Sequence, residues 1–260
     1  MFGDDAVAVD LYFALRHRDE DMLVWQEDGE IGGMLSMLPV SLCLGKAAYP
    51  SRYIYAVATA PALRGRGIAS ALLTHASGVI AERGEAAALL SPATDSLFGY
   101  YEKRGYRTAF SLSVAQFRAS ALPPCPEGCA YAQCSTSAYA RIRDRAFAER
   151  GLYARWDERA LAYALRTLGG GAGRLTLAGG EGVVAWSRTE GCVLVRELGL
   201  VGVDIPKALA VLHGALGAPV YRVRLPAGDW PGAITPFGMI RWCIPEPACD
   251  APGYLALALD

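Results

Sequence analysis

Apolar positions recur along this chain in two rhythms, one helical and one alternating. Residues 4–16 carry them at helical spacing and predict an opening helix. "DMLVWQEDGEIGGMLSMLPVSLCL" reads as two strands around an "EDGE" turn, a hairpin signal. "YPSRYIYAVAT" is rich in aromatic and β-branched residues and predicts a third strand. From Gly67 onward Ile68, Leu72, Leu73, Ala76, Val79 and Ile80 return at helical spacing until Gly84 stops the run. "AAALLSPAT" is a buried strand, "DSLFGYYEKRG" a short helix with Asp95 as its N-cap, and "YRTAFSLSVAQF" a closing strand.

The proline-rich "SALPPCPEGC" reads as a linker. After it come a helical stretch near 137–168, a glycine run "GGGAG" taken as a loop, and three strands in "RLTLAGGEGVVAWSRTEGCVLVRELGLV". A helix follows in "IPKALAVLHGALG" with Pro206 at its start, then a strand in "VYRVRLP" and one or two final strands. Hairpin, strand, helix, strand is therefore written twice. The expected organisation is a first unit over 1–120, a linker over 121–130 and a second unit over 131–260. The fold class is α/β, on a mixed (α+β) sheet.

Composition narrows the function classes. With 260 residues the chain is long enough for one large domain or two smaller ones. A formal net charge of −1 leaves no basic field for a nucleic-acid backbone. No apolar stretch approaches the roughly 20 residues that span a bilayer. The start, "MFGDDAVAVDLYF", is acidic where an export signal would be basic, so a cytoplasmic location is expected. Seven cysteines are scattered and, in that compartment, reduced. Cys125, Cys129 and Cys134 lack a CxxC pair and a nearby histidine, so no metal is expected. His17, His75 and His213 are each isolated in the sequence.

The most informative stretch is "PALRGRGIA" at 61–69, between the third strand and the long helix. A helix start offers four backbone N–H groups without intrahelical partners, plus the positive end of the macrodipole. Gly65 and Gly67 remove the Cβ atoms that would hold a ligand away, and Arg64 and Arg66 add charge that can reach phosphate oxygens. A solvated basic turn is the competing reading. The preceding strand and following amphipathic helix favour an anion cradle instead. GxxxxGK[ST] and GxGxxG are both absent, which argues against the familiar nucleotide loops.

"VATAPALRGRGIASALL" resembles the acyl-CoA signature of the GNAT superfamily of N-acetyltransferases, through Arg64, Gly65, Arg66, Gly67, Ile68 and Ala69. That family's second signature, Y-x-x-x-G-[FY], is matched by "YYEKRGY" at 100–106. The layout of two such units, the second without a cradle, is similar to the Eis-like (enhanced intracellular survival) acetyltransferases. "VLVRELGLV", "VYRVRLP" and "PFGMIRW" resemble second-unit segments of that group. Two departures from that group are expected: no strand ahead of the opening helix, and no sterol-carrier-like third domain.

The resemblance implies acetyl-CoA as cosubstrate, with no metal, and acetyl transfer to a primary amine of a small molecule by direct attack. It implies that backbone groups of Val57, Ala58 and Thr59 hold the thioester carbonyl and pantetheine arm, and that Tyr101 is the general acid. A phenol suits that task, since tyrosine titrates near 10 and a thiol near 8.5. "RYIYAVAT" offers no acidic residue as a base. Asp95, Glu27, Asp28 and Glu30 are candidates, and Eis-like proteins suggest the C-terminal carboxylate at Asp260, at the end of an apolar strand "YLALALD". A non-catalytic acyl-CoA-binding or regulatory module, or a protein lysine acetyltransferase, are the alternative functions. The expected partner is a small amine, with no nucleic acid or membrane; a homo-oligomer is left open.

Overall fold

A computed structural model describes residues 6–249 and 251–258. The first half runs α1 (Ala6–Leu15), β1 (Met22–Glu27), β2 (Glu30–Leu44), β3 (Ala47–Thr59), α2 (Ile68–Glu82), β4 (Ala87–Leu90), α3 (Ser96–Glu102) and β5 (Arg107–Arg118). The second runs β6 (Ala130–Ala132), α4 (Thr136–Phe147), β7 (Tyr153–Arg155), α5 (Glu158–Thr167), β8 (Gly170–Leu177), β9 (Gly180–Thr189), β10 (Cys192–Val201), α6 (Ile205–Leu216), β11 (Val220–Pro226) and β12 (Ile234–Trp242). Among the described residues, α1 comes before any strand, as the sequence suggested.

One mixed sheet carries both halves, in the order β1-β2-β3-β4-β12-β5-β11-β10-β9-β8-β6. Most neighbours are antiparallel, while β3 with β4 and β10 with β11 are parallel. Each parallel pair is joined through a helix, as a parallel crossover requires. β12, from the end of the chain, lies between β4 and β5 and pairs antiparallel with both. On its other edge β5 pairs with β11 over Val220–Pro226. The sheet therefore passes without a break from one half to the other, and the C-terminal half supplies an interior strand to the N-terminal half.

The core divides along the same lines. Under α2, Ile68, Leu72, Leu73, Ala76 and Ile80 pack with Leu35, Ile54 and Leu90. Under α6, Leu209 and Leu212 pack with Val193, Val195 and Val223. Between these, α4 and α5 bury Tyr139, Ile142 and Leu161 against Tyr53, Phe110 and Leu255. There Arg143 and Glu197 form an ion pair at 3.0 Å, both side chains 0% exposed, and the Tyr139 hydroxyl donates to Glu197 at 2.9 Å.

Four local expectations are corrected. From Gly170 onward "GGGAG" is strand, not loop: a Cβ on Gly170 would lie 2.1 Å from the Trp186 carbonyl oxygen, and one on Gly173 2.3 Å from that of Ala132. Glycine is there because neighbouring backbones pass too close for a side chain. The helical stretch near 137–168 is two helices, separated by β7, which pairs with β2. Asp95 stands at the start of α3 but in helical conformation, and its side chain makes no cap hydrogen bond. The C-terminal run is no regular strand. It crosses the interior with bridges at Gly253 and Tyr254 and buries Leu255–Ala258.

Candidate active site

The site begins where β3 runs past its pairing with β4. β3 and β4 are in register only at Arg52 and Tyr53, and β4 ends at Leu90, so β3 runs on toward Thr59 past that neighbour. On the other side, β3 sets two residues, Ala56 and Val57, against Leu35 alone between the pairs Ser36↔Tyr55 and Met34↔Ala58. This is a β-bulge, and Ala56 sits in it at φ 54°, a conformation that costs a side-chain-bearing residue about 1–3 kcal/mol. β3 thus lacks β4 pairing beyond Tyr53 on one edge and is bulged at Ala56 and Val57 on the other, before Ala58 and Thr59 pair again with Met34 and Gly33.

The chain then turns through Pro61–Leu63 and enters α2 at Gly67, whose φ of 83° is left-handed. Gly65, at φ 81°, is left-handed as well. Only glycine adopts this conformation freely, and nothing lies within 4 Å of where either Cβ would be. No side chain caps α2. Its first N–H groups therefore face an open cleft of about 570 Å³. The turn is seated on β2 by another glycine pair. A Cβ on Gly32 would lie 2.6 Å from Leu63, and one on Gly33 2.7 Å from Ile68. Sequence reasoning missed this seat, although the adjacent glycines inside a strand were its visible sign.

The cleft gathers Val57, Ala58, Thr59, Arg64, Gly65, Gly67, Ile68 and Ala69, all singled out from sequence, and adds Ser70, Tyr100 and Arg104. Arg64 donates to the Thr59 carbonyl at 3.4 Å. Arg66 turns away from the cleft and pairs with Glu27 at 2.8 Å, with both side chains substantially exposed. That bond holds the Arg66 guanidinium above its ordinary value and the Glu27 carboxyl below its own. Arg104 stacks over the Tyr100 ring, 3.4 Å from the centroid, and donates from Nε to Ser70 Oγ at 2.9 Å. It thus ties α3 to the first turn of α2 and brings to the rim a cation that sequence reasoning did not single out.

Tyr100 lines the cleft and Tyr101, the predicted acid, does not. Tyr101 is 9% exposed and stacks edge-on with Tyr100 (5.2 Å) and Tyr106 (5.8 Å). Burial raises its phenol above the ordinary tyrosine value, followed by the Tyr100 phenol, while Arg104 pulls the other way. The group is therefore a neutral, proton-bearing phenol at neutral pH. Of the candidate bases, Glu27 is engaged with Arg66, Asp28 sits at φ 51° in the hairpin turn, and Glu30 is exposed at the same tip. Neither these three nor Asp95 lines the cleft. Asp260 lies outside the described residues, but the segment leading to it is tightly held. Tyr254 exchanges backbone hydrogen bonds with Leu152 and Ala154, and Trp156 Nε1 donates to the Ala256 carbonyl at 2.7 Å. Leu257 and Ala258 line a second cavity of about 220 Å³, together with Tyr55 and Tyr163.

The sequence profile described as "Acetyltransferase (GNAT) domain" matches residues 3–109. Among solved structures, a GCN5-related N-acetyltransferase from Anabaena variabilis superposes with a TM-score of 0.73 at 19% identity, covering 94% of this chain and 67% of that one. A probable N-acyltransferase of unknown function from Enterococcus faecalis gives 0.71 at 15% identity, covering 91% and 65%. Eis1 from Mycobacterium abscessus gives 0.70 at 19% identity, covering 93% and 68%. The likeness is one of fold and extends over both halves. This chain spans about two thirds of the length of those proteins. No curated protein sequence matches it.

Proposed function

We propose that this chain, whose residues 3–109 match the GNAT acetyltransferase domain, transfers acetyl from acetyl-CoA to a primary amine of a small molecule. The observation that carries the reading is the entry into α2. A left-handed Gly67 and an uncapped helix start open onto a cleft that also holds the interrupted edge of β3. Residues 1–120 form the catalytic unit in this reading and 131–260 a second unit that lends β12 to it.

Acetyl-CoA supplies an activated acetyl group when bound; the exchange forms a C–N bond and breaks a C–S bond. The N–H groups of α2 and the Gly65–Gly67 turn receive the pyrophosphate, with Arg64 and Arg104 as flanking cations. Backbone N–H groups of Val57–Thr59 face the thioester carbonyl as its charge grows. Tyr101 gives its phenol proton to the departing sulfur and recovers it from solvent. Asp260, two residues beyond the cavity-lining Ala258, is the base we assign to the incoming amine. Residues appended after Asp260 should then lower turnover, whereas an extended chain of full activity would remove it from that role.

Release of free thiol from acetyl-CoA over a panel of amines tests the activity. Tyr101→Phe should lower kcat by about 10²–10⁴-fold, the usual weight of a general acid, with CoA affinity nearly unchanged. Because burial raises the phenol, its proton is retained to above pH 10, so the alkaline fall in kcat assigned to Tyr101 should come only beyond that point. Unchanged turnover in the phenylalanine variant would take the role from Tyr101.

A further inference from the structure

On the far side of the Ala56 bulge from the cofactor cleft lies a cavity of about 540 Å³ whose walls are almost entirely apolar. Its size is that of a small-molecule pocket. It meets the cofactor cleft along one backbone: Ala56 lines the cavity and the next residue, Val57, lines the cleft. An acceptor seated here would lie across the bulge from the segment proposed to hold the thioester.

The walls are specific in kind. Tyr12, Phe13, Tyr55 and Tyr163 supply four aromatic rings, and Met22 and Met34 supply adaptable thioethers. Tyr12 stands at the centre, with ring centroids 5.7 Å from Tyr55, 6.1 Å from Tyr163 and 5.7 Å from Phe13. Its hydroxyl is held to Ser36 Oγ at 2.8 Å, which fixes the ring without facing its polar atom into the pocket unpaired. The outer wall is α1, whose sequence AVAVDLYFAL has one polar residue and none that is buried. Arg159 fastens that helix by donating to the carbonyls of Ala14 and Leu15, both at 3.1 Å. Phe13 is 56% exposed at the mouth. Among the described lining residues the one carboxylate is Asp19, and it already faces His17 Nε2 at 2.9 Å.

We propose that this cavity is the acceptor site and that it takes a primary amine carried on an aromatic or comparably bulky apolar group, in preference to a polycationic amino sugar. The inference rests on the acetyl-transfer reading above and deepens it by assigning the acceptor class. Such a group gains from burial against four rings, while its amino end reaches the bulge at Ala56. A polycation would find here one carboxylate, already partnered, among the described lining residues.

Binding and turnover are measured separately with 2-phenylethylamine, n-propylamine and a polycationic aminoglycoside, using the whole chain with CoA or acetyl-CoA. Calorimetry in the presence of CoA should show 2-phenylethylamine binding at least about tenfold more tightly than the other two. Phe13→Asp, at an exposed position, should weaken that binding about tenfold and leave the affinity for CoA, whose cleft Phe13 does not line, unchanged. Equal or tighter binding of the aminoglycoside overturns the proposal. So does a chain that self-associates and is dissociated by Phe13→Asp, since the apolar face would then belong to a second copy. If 2-phenylethylamine binds as stated and is not acetylated, the acceptor site stands and the catalytic reading falls. Acetylation that is faster for n-propylamine at every concentration overturns the acceptor class and leaves the catalytic reading intact.

Discussion

Twice in this chain a long strand runs parallel to a shorter one and hands over to a helix, and the two handovers end differently. At the first, β3, which like β10 bulges and runs past its pairing with a parallel neighbour, enters α2 through two left-handed glycines, with no side chain on the helix start. At the second, β10 passes through "GVD" into α6, and Asp204 caps the helix by accepting the Lys207 N–H at 2.9 Å. The Lys207 ammonium then pairs with the same carboxylate at 2.8 Å. A helix start draws negative charge whether that charge is a ligand or the chain's own carboxylate. At α6 the chain has filled the place itself. That difference, rather than fold or topology, is what separates a candidate CoA cradle from an ordinary capped helix.

The comparison treats the halves as counterparts, and cutting them apart tests whether they are also independent. Residues 1–120 alone lack β12, which lies between β4 and β5 and contributes the fully buried Met239 and Ile240. We expect that fragment to be insoluble or unfolded by circular dichroism. A soluble fragment with a cooperative melt would show that β12 merely decorates the first sheet.

The next largest effect should come from making the first junction like the second. Gly67→Asp places a carboxylate at the α2 start, in a left-handed conformation that strains any side chain. CoA affinity measured by calorimetry should fall by about a hundredfold. Gly67→Val should act in the same direction through strain and obstruction. Arg66→Ala should cost only a few-fold, because Arg66 is bonded to Glu27 and does not line the cleft. If the arginine change proved the more harmful, the backbone cradle would be the wrong description.

Much of this was legible in the sequence, for physical reasons that also explain what was not. The α2 start could be read because glycines, a strand and a helical apolar stripe are all local signals. The duplicated order of hairpin, strand, helix and strand could be read for the same reason. The insertion of β12 between β4 and β5 could not, since strand order depends on pairings more than 100 residues apart in sequence. "GGGAG" misled because glycine is enriched both in loops and where backbones pass too closely for a Cβ. Arg143 and Glu197 gave no sign of being fully buried, since isolated charged residues look like surface and only the fold brings these two together. The apolar cavity was hidden for a related reason: Tyr12, Tyr55 and Tyr163 are ordinary aromatic positions until three separate elements converge.

The smallest effect belongs to the second junction and reads the comparison from its other side. Asp204→Ala removes the cap of α6 and should lower stability by about 1 kcal/mol. The loss should depend on pH in a defined direction. The side-chain bond to Lys207, then the backbone N–H of Lys207, holds the Asp204 carboxyl below the ordinary carboxylate value. A carboxylate depressed in the folded state stabilises fully above its unfolded value, near 3.9, and ceases to do so as pH falls through the lower folded value. Denaturant melts of the two proteins should therefore differ at neutral pH and converge below about pH 4. A gap that persisted into acid would mean that the carboxylate's charge is not what stabilises this helix start. The contrast between a self-capped helix and an open one would then lose its electrostatic basis.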